Sequence, residues 1–265
     1  MGSDRLQAEA SNGRMLRLVV SIVSHGHGAL VQQLLYQLAQ LSASSVARVV
    51  VTHNIPEPAL REPANGWPFQ LEIVCNAAPL GFGANHNRAL RDAAEPFVCV
   101  LNPDVALLPS QEPFEALMQA AMAAGVGCAY PRQLDAEGRE QDYERELPTL
   151  PALWRRRVLR QPQRAVDWVN AACIVMPVSV WRLVGGFDDA YFMYCEDVDL
   201  CLRLRIAGLK LQKAQAQVLH VGQRASRKQW RHLQWHVRSL LRLWCSDAYC
   251  RGRSLSKNSN QTRRE

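Results

Sequence analysis

Residues 18–23 (Leu-Val-Val-Ser-Ile-Val) form an almost unbroken apolar, β-branched run that ends in the polar loop Ser24-His25-Gly26-His27-Gly28. A half-buried strand alternates apolar and polar residues. A run apolar at both parities needs cover on both faces, which means helices above and below and parallel neighbours. The pattern recurs at 46–51, which ends in Thr52-His53-Asn54, at 71–75, at 97–101, stopped by Asn102-Pro103-Asp104, and at 126–130. Between these runs Leu30, Leu34, Leu35, Leu38 and Leu41 return at helical spacing, Gly81-Phe82-Gly83 opens a helix to about Ala94, and 113–124 reads as a helix. This order predicts an α/β fold with a single Rossmann-like, mostly parallel sheet and flanking helices. Ligands of such sheets bind beyond the carboxyl ends of the strands. The loops at His25, His53 and Asn102 should therefore share one crevice.

The second half is less regular. A turn at Asp135-Ala136-Glu137-Gly138 and a basic, helix-forming insertion at 148–160 lead to a strand-like stretch at 166–176, broken by Asn170-Ala171-Ala172. A short helix at 177–183 and the turn Gly185-Gly186-Phe187-Asp188 come next, then Tyr191-Phe192-Met193-Tyr194-Cys195-Glu196-Asp197-Val198-Asp199. Residues 209–221 read as extended and end at His220. From about Ser226 to Trp244, Trp230, Leu233, Val237, Leu241 and Trp244 mark one apolar stripe, with Lys228, Arg231, Arg238 and Arg242 to its sides. Such a helix can lie in a bilayer interface with its cations on anionic headgroups, or it can pack on the domain.

At 265 residues the chain is one large domain or two small ones. Its formal charge of +7 points to an anionic partner: phosphate, nucleic acid or a membrane surface. The eight cysteines form no metal-like pair. Cys75, Cys99 and Cys173 read as small core residues in a reducing compartment. No run reaches transmembrane length, and the apolar stretch after Arg14 is too short for a secretion signal. The expectation is a cytoplasmic protein, peripheral to a membrane.

Several groups can carry chemistry. Glu196 and Asp197 stand in the first turn of a helix, where the macrodipole favours negative charge. A carboxylate fixed there can be a general base, although an acidic first turn also suits an ordinary amphipathic helix. Asn102-Pro103-Asp104 offers an amide oxygen and a carboxylate at a strand end, a pairing for a hard cation that also takes phosphate oxygens; ordinary strand-ending turns look the same. Gly81-Phe82-Gly83-Ala84-Asn85-His86-Asn87-Arg88 opens a helix whose free N–H groups can meet phosphate, but it lacks the third glycine of a dinucleotide fingerprint. His220 ends a strand and could be structural or a ligand.

Taken in order, Ser-His-Gly-His, Gly-Phe-Gly-Ala-Asn-His-Asn, Leu-Asn-Pro-Asp, Val-Asp-Trp-Val-Asn, Gly-Gly-Phe-Asp, Tyr-Phe-Met-Tyr-Cys-Glu-Asp-Val-Asp-Leu and a late histidine resemble the inverting GT-A glycosyltransferases of family 2. The closest likeness is to bacterial O-antigen rhamnosyltransferases, which move L-rhamnose from dTDP-rhamnose to an undecaprenyl-diphosphate-linked N-acetylglucosamine. The resemblance runs from about Leu16 to Trp244. It implies a GT-A catalytic domain over 15–224 with a nucleotide-sugar half (15–130) and an acceptor half (131–224). A basic amphipathic helix over 225–250 would follow, with disordered ends at 1–14 and 251–265. It implies Asp197 as catalytic base and Glu196 shaping the pocket. Asp104 and His220 would bind Mg2+ or Mn2+, and Asn102 would face ribose or phosphate. Ser24, His25, His53, Gly83, Asn85 and Asn87 would lie on the nucleotide sugar. One departure stands out: relatives carry Asp-Asn after the second strand, the Asp touching the pyrimidine, where this chain has His53-Asn54. The implied partners are a nucleotide-sugar donor, a lipid-linked acceptor and the inner-membrane surface, with no nucleic acid.

Other readings remain. The same family could use another nucleotide sugar. A basic nucleic-acid-binding protein would explain the charge but lacks a recognition motif. A nucleotidyltransferase should carry a cation in its first loop, and 24–28 has no Arg or Lys.

Overall fold

The computed structural model describes residues 16–109, 112–159, 166–221 and 230–262. The 1–14 stretch, and Arg224 and Lys228 of the basic segment, lie outside the described residues. Strands β1 (Leu18–Ser24), β2 (Val46–His53), β3 (Gln70–Cys75) and β4 (Phe97–Leu101) follow the apolar runs, joined by helices α1 (Gly28–Leu41) and α2 (Phe82–Leu90). Then come β5 (Val105–Leu107), α3 (Pro113–Met122), β6 (Val126–Leu134), a small ribbon of β7 (Glu144–Arg145) and β8 (Trp168–Val169), and α4 (Leu150–Arg157) between them. β9 (Cys173–Pro177), α5 (Val178–Val184), α6 (Glu196–Ile206), β10 (Lys210–His220), α7 (Trp230–Trp244) and α8 (Asp247–Thr262) complete the described elements.

Eight strands form one sheet in the order β3-β2-β1-β4-β9-β6-β10-β5. β1 pairs in parallel with β2 and β4, and β2 in parallel with β3. The sequence reading of a mostly parallel sheet holds, but it does not give the direction of every strand. β9 enters antiparallel between β4 and β6, and the three-residue β5 runs antiparallel to β10 at the far edge. The fold remains mixed α/β with a mostly parallel sheet. All five residues of β9 are buried, as its central position requires.

Two apolar layers cover the sheet, and β1 feeds both by alternation. Leu18, Val20 and Ile22 pack with α1 and α3, and Val19 faces α2, α5 and α6. Ser21, on the latter face, hydrogen-bonds buried His86 of α2 at 2.8 Å. Burial with no compensating charge holds that imidazole far below its usual pKa, so it is neutral.

Three sequence expectations change. Cys75 is exposed, because β3 is an edge strand with little cover; Cys99 and Cys173 are buried as read. Residues 251–262, expected as a disordered tail, continue as helix α8. Gly252 lets that helix lie on α6, where any Cβ would stand 2.4 Å from a Leu202 methyl. The apolar stripe of α7 loses one member: Trp244 turns in and donates from its indole to the Pro148 carbonyl at 2.8 Å. Trp230, Leu233, Val237 and Leu241 remain 50–81 % exposed, while Ser239 and Leu243 face the domain. Among the described residues no helix is long and apolar enough to cross a membrane.

Candidate active site

The crevice forms where β1, β2 and β4 end. Ser24, fully buried, donates to a Glu57 carboxylate oxygen at 2.8 Å, and the Gly26 N–H donates to the other at 2.9 Å. Glu57 lies between Pro56 and Pro58 in what reads as a mere connection. The prolines hold it extended, and the resulting carboxylate was the overlooked signal. With His53, Trp67, Ile73 and Cys75 it lines a pocket of about 470 Å³. His53 is buried, and its Nε2 has no hydrogen-bond partner among the described residues.

Asn85 and Asn87 do not extend into this pocket as free amides. Asn85 donates to the Leu80 and Gly81 carbonyls and accepts from Asn76 at 2.6 Å. Asn54 completes the network: it accepts from the Leu80 N–H and the Asn76 amide, and its own amide lies 3.2 Å from His25 Nδ1. Asn87 reaches forward, accepting from the Phe187 N–H and donating to the Phe187 carbonyl and Asp189. Gly83 is a packing glycine, since a Cβ there would stand 2.6 Å from Phe187. These residues shape the loops around the crevice.

Gly81 is where the two halves meet. The Phe82 N–H donates to the Phe192 carbonyl at 2.9 Å, and a Cβ on Gly81 would lie 2.8 Å from the backbone of Tyr191 and Phe192. Only glycine allows that approach. The contact seats the aromatic loop just ahead of the acidic pair.

That loop ends in two non-glycine residues with positive φ, Tyr194 (71°) and Cys195 (67°). Left-handed backbone costs roughly 1–2 kcal/mol per residue, and packing from α7 retains it. Tyr194 hydroxyl meets His232 Nδ1 at 2.9 Å and its ring lies 5.0 Å from that of His236. Ser239 donates to the Met193 carbonyl at 2.8 Å. The sharp turn aims the first residues of α6.

Glu196 is buried, with one carboxylate oxygen lacking a partner among the described residues. Burial, then the neighbouring Asp197 charge, push its pKa well above the carboxylate range. Asp197 keeps partial solvent contact. Its pKa is also raised, by desolvation, against a hydrogen bond from the Val198 N–H at 2.8 Å and the positive charge of Arg145. The third acid of the run differs: Asp199 is tied to Arg203 at 2.7 Å, and that guanidinium also bonds the Val184 carbonyl. Arg145 was not singled out by sequence, because only the β7–β8 ribbon, where it stacks 5.2 Å over Trp168, brings it toward Asp197.

Asp104 and His220 come together although they are far apart in sequence. Antiparallel pairing sets His220 opposite Val105, and the Asp104 carboxylate lies 3.5 Å from His220 Nε2. His220 Nδ1 and the Asn102 side-chain oxygen are buried with no partner among the described residues. A carboxylate, an imidazole and an amide oxygen, two with unused lone-pair capacity, fit a divalent cation such as Mg2+ or Mn2+. No group of three His, Cys, Asp or Glu side chains gathers among the described residues.

No family model matches the chain. It is 29 % identical over 234 residues to N-acetylglucosaminyl-diphospho-decaprenol L-rhamnosyltransferase of Mycobacterium tuberculosis, covering 77 % of this chain and 75 % of that one. It is 26 % identical over 246 residues to rhamnosyltransferase WbbL of Escherichia coli, covering 84 % and 90 %. Among solved structures it superimposes on the Pyrobaculum calidifontis mannosyltransferase PcManGT, in complex with GDP-Man and Mn2+, with TM-score 0.54 and 15 % identity over 85 % of this chain and 64 % of that one. The UDP complex of S. aureus TarS gives 0.51 and 13 %, over 88 % and 67 %. The parallel strand ends, the aimed carboxylates and these likenesses agree: the chain is a glycosyltransferase with the GT-A fold.

Proposed function

We propose that the chain transfers L-rhamnose from dTDP-rhamnose to an N-acetylglucosamine carried on an isoprenoid diphosphate, inverting the anomeric centre, in assembly of a cell-surface polysaccharide. The observation that carries this reading is the pair of relatives named as rhamnosyltransferases, one named for an N-acetylglucosaminyl-diphospho-decaprenol acceptor, matched across three-quarters or more of both chains. In the reaction an acceptor hydroxyl oxygen bonds to the anomeric carbon as the bond to the nucleoside diphosphate breaks. Asp197 takes the hydroxyl proton, and its raised affinity for protons, set by burial, suits a base that must hold one at neutral pH. Glu196 lies behind it and Arg145 moderates its charge. Asp104 and His220, with Asn102, would hold a divalent cation, which would supply stabilisation of the charge on the leaving diphosphate. Ser24, His25, His53 and Glu57 shape the nucleotide end of the crevice. A single displacement on a β-linked donor gives an α-rhamnoside.

The exposed stripe of α7 supports peripheral seating on the inner-membrane surface. A second group of exposed apolar residues, Leu150, Trp154, Val158 and Leu159, lies on and just after α4. Flotation with anionic liposomes should carry the full chain upward at low salt; protein that stays down at every salt concentration removes the membrane from the reading.

The decisive assay is a donor screen on an isoprenoid-diphosphate N-acetylglucosamine acceptor, read by mass. A deoxyhexose increment from dTDP-rhamnose is expected. His53 can donate or accept toward a base edge, so UDP- and GDP-sugars belong in the screen. Product from one of those alone would replace the donor and keep the enzyme class.

A further inference from the structure

Beside the crevice, a cleft of about 390 Å³ opens between α7 and the 188–192 loop, lined by Asp189, Phe192, Trp235, Arg238, Ser239 and Arg242. We propose that this cleft binds a glycosyl diphosphate, the head of the acceptor, with the arginines on the diphosphate and the aromatic wall on the sugar. The proposal rests on the acceptor class given above.

Three observations carry it. The first is the position of the cations on α7. Each arginine stands between an exposed apolar residue and a buried one: Val237, Arg238, Ser239, then Leu241, Arg242, Leu243. At 3.6 residues per turn they mark the seam where the exposed stripe turns into the cleft. A molecule with an isoprenoid tail along the stripe would bring its diphosphate to that seam. Guanidinium groups are suited to it by their planar, multiple donors.

The second is how the charges are arranged. Arg238 has no ion-pair partner among the described residues. Arg242 is held by Asp188 at 3.2 Å and lies 5.3 Å over the Tyr191 ring, a fixed position that leaves other N–H groups to donate. Asp189, on the opposing side, accepts from Asn87 at 2.6 Å. Its remaining capacity suits sugar hydroxyls, which donate, and repels phosphate. The cleft thus gathers two guanidinium groups, a carboxylate and the Phe192–Trp235 pair, whose rings lie 5.0 Å apart.

The third is the link to the base. Phe192 lies five residues before Asp197, so their Cα atoms are within about 18 Å even for extended chain. Ser239, in the same cleft, holds the Met193 carbonyl of that loop. The cleft and the base are thus built on one segment.

The test uses the full chain and a water-soluble, short-chain isoprenyl diphosphate N-acetylglucosamine, with an N-acetylglucosamine alkyl glycoside as the phosphate-free control. Binding is followed by calorimetry and transfer by KM. Arg238→Ala and Arg242→Ala should each weaken the diphosphate acceptor about ten- to a hundredfold, the range for charge-assisted hydrogen bonds. Arg238→Lys should recover part of the loss; affinity for dTDP and for the glycoside should not move. Unchanged diphosphate binding in Arg238→Ala, or an equal loss for dTDP, overturns the cleft. Rhamnose transfer that ignores both arginines overturns the cleft and leaves the function standing. Binding that depends on them without transfer from dTDP-rhamnose does the reverse, and a wild-type protein that binds neither acceptor overturns both.

Discussion

The two acidic sites are built on opposite terms. Asp104 stands at a strand end, partly exposed, with an imidazole 3.5 Å away. Glu196 and Asp197 stand side by side at a helix start, the first buried and the second partly so, with Arg145 offering positive charge to Asp197. The first arrangement keeps a carboxylate ready for a cation. The second raises the affinity of both groups for a proton, since burial outweighs the favourable helix start. Under the proposed function the same side-chain chemistry would serve charge stabilisation in one place and proton transfer in the other.

The comparison breaks most sharply at Asp197. Asp197→Asn should lower kcat by about 10²–10⁴ while dTDP binding, measured by calorimetry, stays within error; near-normal turnover would transfer the base role to Glu196. The effect at the other site should be smaller and of another kind. Asp104→Ala should lower kcat/KM on the order of a hundredfold, since a bound cation contributes several kcal/mol of charge stabilisation. Chelator should silence the wild type, with Mg2+ or Mn2+ restoring it. Full turnover in chelator would leave Asp104 and His220 without that role. The smallest effect concerns stability. Because Glu196 is raised above its unfolded value, the folded state holds the extra proton just above the ordinary carboxylate range. The stability this contributes is complete below that range and is lost as pH climbs through the raised value. Glu196→Gln should flatten that decline, raising Tm at mildly alkaline pH by about 2–4 °C for each kcal/mol relieved. Equal pH slopes in scanning calorimetry would mean that the buried charge costs nothing.

Legibility followed the range of the interactions. The apolar runs of β1, β2, β4 and β6 announce themselves, because strands covered on both faces need no partner to be recognised. The acidic first turn of α6 was equally plain. β9 was visible as a strand but not its reversed direction, which depends on a chain path no local residue encodes. The amides of Asn85 and Asn87 are legible beside a glycine turn but their protein partners are not: Asn85 bonds the nearby Leu80 and Gly81 carbonyls, and Asn87 the Phe187 carbonyl 100 residues away. Arg145 was invisible for the same reason, since its neighbours are spatial; Glu57 stands out between its two prolines, but its bonds to Ser24 and Gly26 do not. The apolar stripe of α7 was legible, but sequence alone could not tell whether it faced inward or outward.

The Gly81 contact has a consequence for how the molecule is made. The glycine turn and α2 leave the ribosome long before the 188–195 loop that completes them, and Asn87 bonds Phe187 across 100 residues. Contacts of such separation form late in folding, after loop-closure entropy has been overcome. The nascent N-terminal half therefore emerges with one wall missing, and the carboxylate pair is positioned only when α2 and α7 close on that loop. A ribosome-bound fragment ending before the loop should leave α2 more open to protease than the finished chain does.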